Sequence, residues 1–142
     1  MSGNVAWKFA GRLSVMIHGP GNPTNLEWQR FLRDAVDRGT GTHWRNLVVS
    51  YGGRPDGEQR KLLAEMLKGR AAPTAIMTGS GVARAAVLAM SFFNRQMKAF
   101  AMEDFDGACS YLGLSADERD RAQRMRSELT QELGLTGRAA AG

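Results

Sequence analysis

At 142 residues, 43% hydrophobic and with a formal net charge of +5, the chain has the size and apolar content of one globular domain with an ordinary core. No apolar run approaches bilayer-crossing length, and residues 1–17 lack the apolar stretch and small-residue cleavage site of a secretory signal. The lone cysteine, Cys109, excludes an intramolecular disulfide and makes a cytoplasmic location the expectation.

The charge is uneven. Fourteen Lys/Arg stand against six Asp/Glu in residues 1–100, and five against eight in residues 101–142. The basic residues are scattered, without dense interleaving of aromatic side chains. They read as a solvated surface and disfavour nucleic acid as a partner.

In chain order, residues 5–9 and 13–18 are rich in β-formers and flank Ala10-Gly11-Arg12, which predicts an antiparallel hairpin. Gly19-Pro20-Gly21-Asn22-Pro23 is too broken for regular structure. Thr24 and Glu27 then form a capping box, in which each side chain satisfies a backbone N–H at a helix start. Trp28, Phe31, Leu32, Ala35 and Val36 share one face of that helix, and Gly39 stops it. After the connection at 40–43, residues 47–67 (LVVSYGGRPDGEQRKLLAEML) read as a buried strand, an exposed loop and an amphipathic helix. Asp56 and Gln59 are its expected cap.

A third unit follows Pro73: a strand over 74–78, a tight turn at Gly79-Ser80-Gly81 and an apolar helix over 82–93. Residues 98–102 read as a last strand. Phe105, Ala108, Cys109 and Leu112 face inward on a short helix ended by Gly113. Ser115 and Glu118 cap a final helix whose narrow stripe is Ala122, Met125, Leu129 and Leu133. That stripe suits a solvated helix laced by ion pairs, or docking on a partner or a second copy in a homodimer. Alternating strands and helices predict an α/β domain with a mostly parallel or mixed sheet of four to five strands, edged by the hairpin, with about four helices and an extra C-terminal one.

The opening strands followed by Thr24-Asn25-Leu26-Glu27-Trp28, the LVVSYGG strand and loop, the TAIMTGSGVAR strand–turn–helix and the ending KAFAMEDFDGACSYLGL together resemble the STAS domain. More specifically, they are similar to its divergent bacterial SpoIIAA-like family. The resemblance spans residues 5–114. It implies a STAS-like domain over 1–114, a C-terminal helix over 115–134 appended to it, a flexible tail at 135–142, and a regulatory role through protein–protein contact, as in anti-sigma-factor antagonists. Where phosphorylatable members carry an Asp-Ser-Ser-Gly-like motif, this chain has Arg54-Pro55-Asp56-Gly57-Glu58, without a hydroxyl to phosphorylate.

Ser50, Tyr51, Arg54 and Asp56 are the candidate partner-binding residues. They sit where loops leave the carboxyl ends of strands, the usual ligand edge of an open α/β sheet, and Tyr and Arg are favoured contact residues. Gly79, Ser80, Gly81 and Arg84 are candidate anion-binding residues: N–H groups at a helix start, a hydroxyl and a nearby guanidinium suit an anion. The plainer reading is a serine helix cap with a solvated arginine.

A phosphate-binding P-loop and a dinucleotide fingerprint are both absent, and so is a serine-hydrolase elbow. No metal site or cofactor is expected, because two distant histidines and one cysteine give no ligand spacing. Cys109 reads as a buried inert thiol and His18 as a partly exposed histidine at a loop start. The leading expectation is thus a non-enzymatic interaction module. The alternatives are a lipophilic-ligand binder, with Met77, Met90, Phe92 and Phe93 lining a pocket near the third helix, and an enzyme using Ser80 and Arg84 on a phosphorylated substrate.

Overall fold

The helices with defined bounds each start at a capping side chain that accepts from a backbone N–H of the first turn. A computed structural model describes residues 3–38, 44–68, 72–79, 81, 84 and 96–135. β1 (Val5–Ala10) and β2 (Leu13–His18) pair antiparallel across a two-residue loop. Its first position, Gly11, has φ +58°, a region that glycine enters without a Cβ penalty. β2 then runs parallel to β3 (Arg45–Ser50), β3 to β4 (Thr74–Thr78) and β4 to β5 (Met97–Phe100). The sheet order is the chain order, β1 to β5, with β3 in the middle. The α/β class, the mixed sheet and its antiparallel edge are as the sequence predicts.

Four helices have defined bounds: α1 (Asn25–Asp37), α2 (Gly57–Leu67), α3 (Phe105–Leu112) and α4 (Ala116–Glu132). All three predicted capping boxes form: Thr24 with Glu27, Asp56 with Gln59, and Ser115 with Glu118. α3 ends on Gly113 at φ +68°, the left-handed stop that suits glycine. The expected helix over 82–93, apart from helical Arg84, and the tail beyond 135 lie outside the described residues.

Two layers cover the sheet. On one face Val15, Ile17, Leu47, Val49, Ala75 and Met77 are buried against Ala108, Cys109 and Leu112 of α3 and Ala122, Met125 and Leu129 of α4. On the other, Met16 packs with Trp28, Phe31, Ala35 and Trp44. The Phe31 ring centroid lies 5.2 Å from Trp28, 5.7 Å from Trp7 and 6.2 Å from Trp44. Such tilted and edge contacts complement the ring quadrupoles.

One expectation is overturned here. The stripe of α4 is not a free docking surface: Ala122, Met125, Leu129 and Leu133 are buried in the chain's own core, with α4 lying on β2 and β1. The reason is that β1 and β2 expose an apolar face to this side of the sheet, and nothing else in the described chain covers it. An ion pair of Lys8 with Glu128 and another of Arg45 with Glu118 fasten the same helix across the sheet.

Candidate functional site

The parallel strands β2, β3 and β4 finish at one edge, and the loops leaving β2 and β3 are knit together there. Tyr51 N–H donates to His18 O at 2.9 Å and Gly53 N–H to Gly19 O at 2.8 Å. Arg54 N–H donates to Asn22 Oδ1 at 3.0 Å. Gly53 permits this closeness, since a Cβ there would lie 2.1 Å from Gly21 O and 2.6 Å from Gly19 O. Ser50 completes the turn by donating to Gly53 O at 2.7 Å and accepting from Gly52 N–H at 3.1 Å. All of these bonds are made within the chain itself.

The four candidate contact residues do not form one surface. Ser50 is committed to the turn. Asp56 is exposed but serves as the α2 cap, accepting from Gln59 N–H at 2.8 Å. Tyr51 alternates to the opposite face and packs, half-buried, against the cluster beneath α3 and α4. Arg54 alone presents an exposed side chain with no such commitment. Behind the loop, buried Gln59 ties α2 to α1, donating from Nε2 to Pro23 O and to Asn25 Oδ1, each at 3.0 Å. Its carbonyl accepts from Trp28 Nε1 at 2.7 Å.

Beneath the rim lies a pocket of about 180 Å³ with mostly apolar walls. Its floor follows from strand register. Residues 16, 48 and 76 align across β2, β3 and β4, as do residues 18, 50 and 78. The first row, Met16, Val48 and Ile76, is apolar; the second, His18, Ser50 and Thr78, is polar. Both rows line the pocket, with Trp28, Phe31 and Trp44 on one side and Leu63 and Leu67 of α2 on another. Arg54 and Arg60 belong to the same lining, and Arg60 Nη1 donates to Pro55 O at 3.1 Å.

His18 is the unusual member. It is 3% exposed, which corrects the expectation of a partly exposed histidine. The cause is that the 19–23 loop folds back over the strand end to meet the β3–α2 loop. Its Nδ1 is sealed from solvent and has no hydrogen-bond partner among the described residues, an arrangement that costs about 1–3 kcal/mol. Burial, which disfavours the charged imidazolium, lowers its pKa from 6.5 to about 4, with Glu27 pulling weakly the other way. The ring is therefore neutral at physiological pH. Partial burial works against the Glu27 charge, but hydrogen bonds from Thr24 and Asn4 hold that carboxyl below its ordinary value.

Of the anion-binding candidates, Gly79 follows β4 directly and Gly81 is exposed, while Ser80 lies outside the described residues. Arg84 folds back, donating from Nη1 to Thr78 O at 2.9 Å. Met77 lies on the α3/α4 face, away from the pocket; Met90, Phe92 and Phe93 lie outside the described residues. Cys109 is fully buried as expected, and burial pushes its thiol pKa up. Among the described residues no three His, Cys, Asp or Glu side chains gather to hold a metal, and no helix is long and apolar enough to cross a membrane.

No protein-family model matches the chain, and neither a curated protein nor a solved structure matches it.

Sequence reasoning passed over the pocket, Arg60 and the burial of His18. A signal was present, since Met16 and His18 alternate with core residues in their strand, as do Val48 and Ser50. It needed the parallel register to become a site.

Proposed function

We propose that the chain is a non-enzymatic, STAS-like regulatory module of a bacterial cytoplasm that acts by binding a protein partner at the rim over β2 and β3. The observation carrying this reading is the backbone closure at Gly53, which holds the two loops in one conformation. A contact surface ordered in advance loses less entropy on association. Arg54 projects from it, and arginine is among the residues that anchor interfaces. The strictly sequential strand order and the C-terminal helix pair are compatible with the resemblance noted above. The stretch Arg54-Pro55-Asp56-Gly57-Glu58, set against the Asp-Ser-Ser-Gly-like motif of phosphorylatable members, holds no hydroxyl, so partner binding is proposed without a phosphate switch there.

The test is affinity capture from lysate of the source organism with wild type and Arg54→Glu, read by quantitative mass spectrometry. Arg54 is exposed, so its reversal spares the fold. A partner held by wild type and depleted about tenfold or more by the variant, equivalent to 1.4 kcal/mol, supports the rim. Identical partner sets from the two proteins refute it. Tyr51→Ala is unsuitable as a companion, because Tyr51 packs into the core beneath α3.

A further inference from the structure

We propose that the pocket under the rim binds a small carboxylic acid in its anionic form, with a one-ring apolar body on Met16, Val48 and Ile76 and its carboxylate against Arg54 and Arg60 at the mouth. This goes beyond the rim reading and stands without it, since occupancy is read at the pocket floor on purified protein with no partner present.

The opening comes from unequal cover on the two sheet faces. Towards α3 and α4, Val15, Ile17, Leu47, Val49, Ala75 and Met77 are all fully buried. On the pocket face, Val48 and Ile76 of the same central strands are only half-buried. α2 forms one wall, yet Gln59 is its only buried residue, and Leu63 and Leu67 stay half-buried. Strands in the middle of a parallel sheet are ordinarily covered on both faces, so the gap leaves apolar surface for a ligand to cover. An apolar cavity of roughly 150 Å³ takes benzene; this one, at about 180 Å³, takes one ring with a short chain. The rings of Trp28, Phe31 and Trp44 in its wall suit an aromatic body.

Polar groups decide the rest. On the floor, Ser50 is engaged with Gly53 O and Gly52 N–H, Thr74 Oγ1 donates to Ala72 O at 2.8 Å, and Asn46 Oδ1 accepts from Ser14 Oγ. His18 Nδ1 is sealed from solvent. The mouth differs. Arg54 and Arg60 line it with exposed side chains, and neither pairs with a carboxylate among the described residues. Arg60 gives an N–H to Pro55 O, but a guanidinium has five donors and matches a carboxylate through paired N–H groups. Two cations beside an apolar slot attract an anion and repel an amine. The charged head stays at the wet mouth, so only the apolar body leaves water and the cost of burying a charge is avoided.

The experiment is NMR titration of the full chain with phenylbutyrate, phenylbutanol and phenylbutylamine, which share ring and chain and differ in charge. It follows the methyl groups of Met16, Val48 and Ile76. Saturable shifts at these three residues are expected. The acid should bind about tenfold more tightly than the alcohol, the sum of two exposed ion pairs, and the amine most weakly. Raising the salt concentration should shrink the acid's advantage and leave the alcohol's affinity in place. Arg54→Gln with Arg60→Gln should bring the acid down to the alcohol's affinity.

Absence of saturable shifts at the three residues with every probe overturns the site. An alcohol or amine binding as tightly as the acid overturns the anionic class. An acid advantage that survives the double substitution overturns the role of the two arginines. The probe and salt comparisons run on wild type, so a poorly folding variant leaves the test intact.

Discussion

Burial of His18 has a measurable consequence for stability against pH. The folded pKa of about 4 lies below the ordinary 6.5, so between those values the unfolded chain binds a proton that the folded chain refuses. Stability rises with pH wherever the unfolded state binds more protons. The contribution is therefore complete above about pH 6.5 and is lost as pH falls towards 4. At about 1.36 kcal/mol per pKa unit, the full loss is about 3 kcal/mol. By pH 5 it has reached about 2 kcal/mol, before the paired carboxylates begin to protonate.

His18→Gln keeps a polar side chain of similar reach and removes the titration. Urea unfolding at intervals from pH 7.5 to 5 gives the comparison. Wild type should lose about 2 kcal/mol over this window and the variant almost none. Glu27, whose pKa is lowered, acts at more acid pH and remains in both proteins. Parallel curves for wild type and variant would refute the assignment of His18 as buried and neutral.

The rim gives a second comparison. Gly53→Ala should cost about 3 kcal/mol by driving a Cβ into the Gly21 and Gly19 carbonyls. Gly52→Ala, strained at φ +128° but with its nearest neighbour at 3.5 Å, should cost about 1 kcal/mol; equal costs by denaturant melts would contradict the close approach. Gln59→Ala removes one side-chain hydrogen bond within the α2 cap and two that reach Pro23 and Asn25, and should lower stability by about 3 kcal/mol. Retention of wild-type stability in urea would show that these bonds do not tie α1 to α2. Cys109, fully buried with its pKa raised, should react with a thiol reagent about a hundredfold or more slower in the folded protein than in denaturant, because access requires opening. Rapid native labelling would count against its burial.

Much of the architecture was legible because it rests on short-range chemistry. The capping boxes at Thr24, Asp56 and Ser115 are bonds between residues three apart, and they form whatever the distant chain does. The hairpin follows from β-forming runs around Gly11, and the end of α3 from Gly113 in the left-handed region. Alternation of strands with amphipathic helices sufficed for a mixed α/β sheet with residues 47–49 at its centre. The stripe of α4 was readable as apolar, but its destination was not.

Tertiary structure decided what each surface meets. Tyr51 and Ser50 are neighbours in sequence and part to opposite faces because side chains alternate along an extended chain. His18 is sealed where the adjacent 19–23 loop meets the distant β3–α2 loop, through backbone bonds that no side-chain pattern advertises. The pocket exists because Met16, Val48 and Ile76 fall in register, a match set by crossover packing summed over the domain. Local sequence chose the elements, since caps and periodicity act within a few residues; only the assembled fold chose the faces, since burial and register depend on contacts between distant parts of the chain.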